Sequence, residues 1–194
     1  MTKVRDRIEL LKHTFVHPPT VVPDTPRLYA HLDSVLSPAW FYLSASPYNL
    51  FPLLRSFIAA NFPHGQLLLR EMSWQELDSF IVSLTVGTQK YKESELERLL
   101  AFLPQRKWVF IGDSTQKDPE SYAAAYRRHP DRVRKIWIRI VEGVNLTEEK
   151  RLNSEQRFAD AFKGVPEGVW KTFRSVGELE GLAAEAVVED GEGN

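Results

Sequence analysis

The chain has 194 residues, with 25 Lys and Arg against 26 Asp and Glu, 43% hydrophobic residues, 11% aromatics and no cysteine. That length can bury the core of a globular domain. The formal net charge of −1 argues against a general nucleic-acid binder, and without cysteine neither disulfides nor thiolate metal sites can form. No run approaches the roughly eighteen apolar residues of a membrane span, and the start shows no signal-peptide pattern, so a soluble intracellular protein is the expectation. Charge is uneven: Glu185, Glu189, Asp190 and Glu192 crowd the last twelve residues without a base.

In chain order, Asp6 can cap a helix over Arg7–Phe15, with Ile8, Leu11 and Phe15 on one stripe. Pro18, Pro19 and Pro23 make an extended connector. Thr25-Pro26 opens a second helix through Leu28, Leu32 and Val35, ending near Ser37-Pro38. Ala39–Leu43 is an apolar run without alternation, hence a buried strand, and it discharges into Ser44-Ala45-Ser46-Pro47. Tyr48–Asn61 has helical spacing, Gln66–Arg70 is a short strand, and Met72–Thr88 reads as a helical insertion. Lys92–Leu103 is a helix. Trp108–Ile111 is a second unalternated apolar run, in which Gly112 is expected to turn the chain so that Asp113 projects from the strand's carboxyl end. Asp118 and Pro119 read as N-cap and first residue of a helix to His129. Val133–Val141 alternates through Ile136, Ile138 and Ile140, a strand with one less covered face. A polar loop over Gly143–Asn153, a helix over Ser154–Lys163, a strand over Val169–Phe173 and a helix over Val176–Leu182 follow, and Ala183–Asn194 is an acidic disordered tail. Strands alternating with helices predict an α/β layered fold with a mainly parallel sheet.

Ligands bind at the carboxyl edge of such sheets, so the residues at strand ends are the first candidates for chemistry. Asp113 and Asp118 flank one loop, which suits a hard cation such as Mg²⁺ and equally suits a turn and a capped helix. Ser44 can hydrogen-bond a phosphate or simply close a strand-to-helix turn. No G-x-S-x-G surrounds it, which argues against a serine nucleophile. Lys92 can reach a phosphate as a point charge or lie solvated. Arg127, Arg128, Arg132, Arg134, Lys135 and Arg139 form a basic run that could meet anionic lipid, each base near such a surface being worth about 1 kcal/mol. The plainer reading is a solvated face with cations near a helix C-terminus. The five histidines show no ligand spacing.

Joined in order, S-A-S-P-Y-N-L-F-P-L-L, T-Q-K-Y-K-E-S-E-L-E-R-L-L and F-I-G-D-S-T-Q-K-D-P-E-S-Y resemble the catalytic domain of the actin-patch phosphatidate phosphatases, a family of the haloacid dehalogenase superfamily. R-I-E-L-L-K-H-T-F and V-W-K-T-F-R-S-V-G-E-L extend the resemblance over Lys3–Leu182. It implies a haloacid-dehalogenase-like Rossmannoid fold and a Mg²⁺-dependent hydrolase that releases phosphate from phosphatidic acid, or a related lipid phosphate, through an aspartyl-phosphate. By resemblance Ser44 hydrogen-bonds the transferring phosphoryl group, Lys92 neutralises its charge, and Asp113 and Asp118 hold Mg²⁺. It implies a cytoplasmic protein that works at a membrane surface or actin patch.

The family's first motif, D-x-D-x-T, supplies nucleophile and general acid/base on a strand that should lie between those carrying Ser44 and Asp113. No D-x-D-x-T occurs in the 194 residues, and Asp6 lies beyond the place it should occupy. The expectation is therefore a truncated catalytic domain over residues 1–182, inactive as it stands, with two inner strand edges unpaired. Two other readings remain: a non-catalytic phosphatase fold that binds anionic lipid through Arg127–Arg139, and a phosphatase of a soluble phosphate ester.

Overall fold

Parallel strands joined by helices run through the chain, as unalternated apolar runs require. The computed structural model describes residues 21–71, 88–143, 146–175 and 177–179. The helix expected over Arg7–Phe15, nearly all of the insertion expected over Met72–Thr88 and the acidic tail lie outside these. The chain divides into two units, Met1–Thr88 and Gln89–Asn194.

In the first unit, helix α1 (Thr25–Leu36) buries Leu28 and Leu32, while Val35, expected on the same stripe, is exposed. Strand β1 (Trp40–Pro47) and strand β2 (Gly65–Arg70) pair in parallel and are joined by a short 3-10 turn and helix α2 (Phe51–Asn61). β1 runs beyond the expected Leu43, through Ser44, because Ser44 still pairs with Leu69 before the register shifts ahead of Pro47. Tyr29 stacks on Trp40 with ring centroids 5.0 Å apart, and Trp40 Nε1 donates to Asp33 Oδ1 at 2.7 Å, which ties α1 to the start of β1. A Cβ on Gly65 would lie 2.6 Å from the Trp40 Cβ, so only glycine lets the two strands approach there.

In the second unit, helix α3 (Thr88–Phe102) precedes strand β3 (Trp108–Asp113), helix α4 (Asp118–Arg128) and strand β4 (Val133–Arg139). Short helices α5 (Glu149–Leu152) and α6 (Glu155–Ala161) lead to strand β5 (Trp170–Phe173). The loop expected over Gly143–Asn153 thus holds a helical turn. The three strands form one parallel sheet in the order β3-β4-β5. β4 is its centre, and Ile136, Trp137 and Ile138 are buried to 0–1% exposure. Both faces of β4 are therefore covered, against the expectation of a barer face. The alternation in its sequence comes from bases at its ends, not from a solvated face. Burying each of these side chains contributes about 1.5–3 kcal/mol. Leu96, Leu99 and Leu100 of α3, Tyr122 and Ala123 of α4, and Phe158 of α6 are among the other buried side chains of the unit. Among the described residues β1 pairs with β2 alone and β3 with β4 alone, so each sheet keeps an open edge.

Candidate functional site

β3 ends at Asp113, and the next residues are held by short polar contacts. Ser114, fully buried, donates its amide to the Arg139 carbonyl at 2.9 Å, and its hydroxyl accepts the Val141 amide at 3.0 Å. The β3–β4 pairing is thereby prolonged past the last ladder residue. Asp113 Oδ1 accepts both the amide and the hydroxyl of Thr115, the amide at 2.7 Å. This is a turn closed by an aspartate side chain two residues back, and the D-S-T spacing is its sequence signal. Among the described residues no hydrogen bond or ion pair is made to the other Asp113 oxygen.

Asp118 sits at the start of α4, at 5% exposure. It was expected to cap the helix, but the cap position is Lys117 and no side chain caps it. The Asp118 carboxylate is engaged elsewhere. One oxygen takes the Lys92 ammonium, and the other accepts the Asp113 amide at 3.1 Å. Burial pushes the Asp118 carboxyl above its ordinary range, the Asp113 charge adds to this, and Lys92 opposes it. Gly112 allows the approach rather than a turn. A Cβ there would lie 2.7 Å from the Cβ and Oδ2 of Asp118 and from the Tyr122 ring. The Tyr122 hydroxyl donates to the Ile111 carbonyl at 3.1 Å, which fixes the ring in that position.

The helix begins at Thr88 rather than at Lys92, so Lys92 lies inside α3, and it is 5% exposed. A buried ammonium needs an ionic partner, and Asp118 supplies one. An ammonium has three N–H donors, so Asp118 leaves Lys92 with capacity for a second acceptor. Lys92, Asp113 and Asp118 thus form one network at the carboxyl end of β3. A carboxylate with one oxygen to spare, as Asp113 has, suits Mg²⁺, which commonly takes one or two protein carboxylates together with waters and phosphate oxygens. Among the described residues no cluster of three or more His, Asp or Glu side chains forms a complete metal cage.

Ser44 belongs to the first unit and is described within it. Its hydroxyl donates to Ser46 Oγ at 3.0 Å and accepts the Ser46 amide at 3.2 Å, at the register shift of β1. The Ser44 side chain is partly exposed.

The basic run is largely structural. Arg127 donates to the carbonyls of Ala161 and Lys163, Arg128 pairs with Glu93 and Glu97 at 3.0 Å, Arg132 donates to the Leu103 carbonyl, and Lys135 to the Gly168 carbonyl. These bases pin α3, α4 and the segment after α6 to one another.

Sequence reasoning missed Arg157. Its guanidinium pairs with Glu120 in the first turn of α4 and donates to the carbonyls of Ser114, Gln116 and Leu152. A faint signal existed. Ser154 caps α6 by accepting the Arg157 amide, and a capping serine is usually followed three residues later by Glu or Gln, not by a cation in the positive first turn.

Comparisons with known proteins show the family. The chain is 29% identical over 136 residues to Phosphatidate phosphatase APP1 of Saccharomyces cerevisiae, a match that covers 69% of this chain and 22% of the relative. The chain therefore spans about a fifth of the length of that curated relative. No solved structure matches. The family model described as Phosphatidate phosphatase APP1, catalytic domain, matches residues 1–140, a span that contains Ser44, Lys92, Asp113 and Asp118. By that match the chain belongs to the phosphatidate phosphatase APP1 catalytic-domain family, and with it to the haloacid-dehalogenase-like α/β class.

Proposed function

We propose that this chain carries the charge-neutralising part of a phosphatidate phosphatase, a hydrolase that takes phosphate from phosphatidic acid or a related lipid phosphate to leave diacylglycerol or its analogue. The observation that carries the reading is the buried network of Lys92, Asp118 and Asp113 at the carboxyl end of β3. Burial of an ion pair is costly by itself. Placed at the end of a parallel strand, where ligands bind, it gains a use: a fixed cation beside a carboxylate with one open oxygen.

Asp113 is the residue to hold Mg²⁺ through that oxygen. Asp118 is the carboxylate partner of Lys92 and holds the Asp113 backbone in place. Lys92 offers its remaining N–H donors to a phosphate oxygen. Ser44 is the hydrogen-bond donor to the transferring group. When bound, the cation supplies charge neutralisation at phosphate oxygens. Phosphate monoesters are among the slowest esters to hydrolyse unaided, so these fixed charges matter more than any single proton transfer.

A covalent aspartyl-phosphate needs a nucleophilic carboxylate, and the family's D-x-D-x-T is absent from the 194 residues. The purified chain is therefore expected to release no phosphate from phosphatidic acid with Mg²⁺ present. Robust turnover that disappears in Asp113→Ala would overturn this. The complementary arm fuses to the N-terminus the stretch that precedes the matching segment in the yeast relative. Mg²⁺-dependent release of phosphate from vesicles containing phosphatidic acid should then appear. Equal hydrolysis of a soluble ester such as glycerol phosphate would favour a soluble substrate instead. The reading places the working protein in the cytoplasm, against a membrane that presents the lipid. Binding to such vesicles without any turnover in the fused form would favour a lipid-binding module.

A further inference from the structure

We infer that Arg157 is the positioning residue of the loop between Asp113 and Asp118, an inference that rests on reading this loop as the cation-binding wall. Arg157 lies beyond residues 1–140, where the family match ends, and it reaches back to the loop from α6.

An arginine side chain has five N–H donors in a rigid planar fork. Here every one has an acceptor. Nε and one Nη2 hydrogen take the two carboxylate oxygens of Glu120 at 3.1 and 3.0 Å. Nη1 serves the Ser114 carbonyl at 2.6 Å and the Leu152 carbonyl at 2.7 Å. The last Nη2 donor goes to the Gln116 carbonyl. The side chain is 9% exposed, so water cannot readily replace these partners.

Two of the acceptors are backbone carbonyls inside the loop, and the carboxylate belongs to the first turn of the helix that Asp118 begins. Arg157 thus fixes the loop at its first residue, at its middle and at its exit. Those are the points that determine whether the Asp113 amide meets Asp118 and whether Thr115 meets the Asp113 carboxylate. The cation stands in the first turn of α6, where the helix dipole opposes it by about 0.3–1 kcal/mol in ordinary surface settings. Its five bonds offset that opposition. A lysine in its place has three donors on one nitrogen and cannot span the same acceptors.

The test is hydrogen exchange read at single amides by NMR in the full 194-residue chain. The Asp113 and Thr115 amides report the loop directly, because each is bonded to one of the two carboxylates. The amides of Ile136 and Ile138, in β4, report the sheet. In Arg157→Lys, exchange at Asp113 and Thr115 should rise about tenfold or more while Ile136 and Ile138 keep their wild-type rates, as expected for a local opening. Glu120→Gln should move the same two amides by less, and it serves if Arg157→Lys does not fold. Unchanged exchange at Asp113 and Thr115, or a rise matched at Ile136 and Ile138, would overturn the inference. A Mg²⁺ titration followed at the Thr115 amide adds a second readout. The lysine variant should need several-fold more Mg²⁺ than wild type for the same shift, and an identical titration would count against positioning. If Mg²⁺ shifts no loop amide even in wild type, the cation reading fails while the exchange result still decides whether Arg157 holds the loop.

Discussion

The ends of β1 and β3 carry the same kind of signal, a short apolar strand that runs into small polar residues, yet they are held in different ways. At the end of β1, among the described residues, the Ser44 hydroxyl bonds to its near neighbour Ser46 alone. At the end of β3, Asp118 takes Lys92 from α3, and Ser114, between the two aspartates, is bonded to Arg139 at the end of β4, to Val141 just beyond it and to Arg157 from α6. A polar group near solvent needs little support from the fold. A buried charge requires partners, and those partners come from distant parts of the chain. The second end is therefore the one that the rest of its unit is built to hold.

The comparison breaks most sharply at Asp118. Replacing it with alanine leaves the Lys92 ammonium buried without a counter-charge, which should cost about 3–5 kcal/mol of stability. Changing Lys92 to Met together with Asp118→Asn removes both charges and should cost clearly less than Asp118→Ala alone. Urea unfolding followed by tryptophan fluorescence measures both. A loss below about 1 kcal/mol for Asp118→Ala would show an exposed ion pair, and the contrast between the two strand ends would collapse.

Gly112→Ala is next in size. The new methyl would sit 2.7 Å from the Asp118 carboxylate oxygen and from the Tyr122 ring. Overpacking of this kind costs about 1–3 kcal/mol. Because the ring is held by the Ile111 carbonyl, the carboxylate should yield first. Exchange at the Asp113 amide should therefore rise along with the loss of stability. A stable variant with that amide still protected would mean that the close approach is not needed.

These contacts also set what could be read in advance. The strand of Trp108–Ile111, the helix after Asp118-Pro119 and the place of Asp113 at the strand's carboxyl end were legible, because apolar runs, an aspartate at a strand end and an acid-proline pair act locally. The use of Asp118 was not. Its sequence neighbourhood predicts a cap, and only burial beside Lys92, 26 positions away, redirects its oxygens. The extension of β1 through Ser44 was hidden because small polar residues there mimic a loop while the backbone still pairs with β2. The covering of β4 on both faces was hidden because its bases mimic a solvated face, although Lys135 donates to the Gly168 carbonyl. Arg157 was the least legible of all, joined to the loop across 41 to 43 positions without any periodic signal.

The pairing of Arg157 with Glu120 makes the comparison sensitive to pH. Burial alone would raise the Glu120 carboxyl, but the Arg157 hydrogen bonds and charge outweigh it and hold the group below its usual range. An acid whose folded value is depressed contributes stability that is complete above its unfolded value, about 4.3 for Glu, and that is lost as pH falls through the folded value. The stability gap between wild type and Glu120→Gln should therefore be larger at pH 7 than at pH 3. A gap that stays constant over that interval would mean that Glu120 does not gain from ionisation in the folded chain. Ser44 has no such titration, so the β1 end should show no matching change.

The smallest effect on stability is expected from Ser44→Ala. The Ser44 hydroxyl is partly exposed, and its only partner among the described residues is Ser46, so water can take over both hydrogen bonds. A net loss of about 0.5–1.5 kcal/mol is the ordinary value for a hydrogen bond in a folded protein, and this site should fall at or below the lower end. Activity should respond differently. In the fused form described above, a hydroxyl that hydrogen-bonds the transferring phosphoryl group is most useful in the transition state, so its removal should lower kcat more than it raises KM. Stability and kcat both close to wild type would make Ser44 a strand-end residue and no more. A stable variant with a clear fall in kcat would show that the loosely held end of β1 serves substrate, while the tightly held end of β3 serves charge.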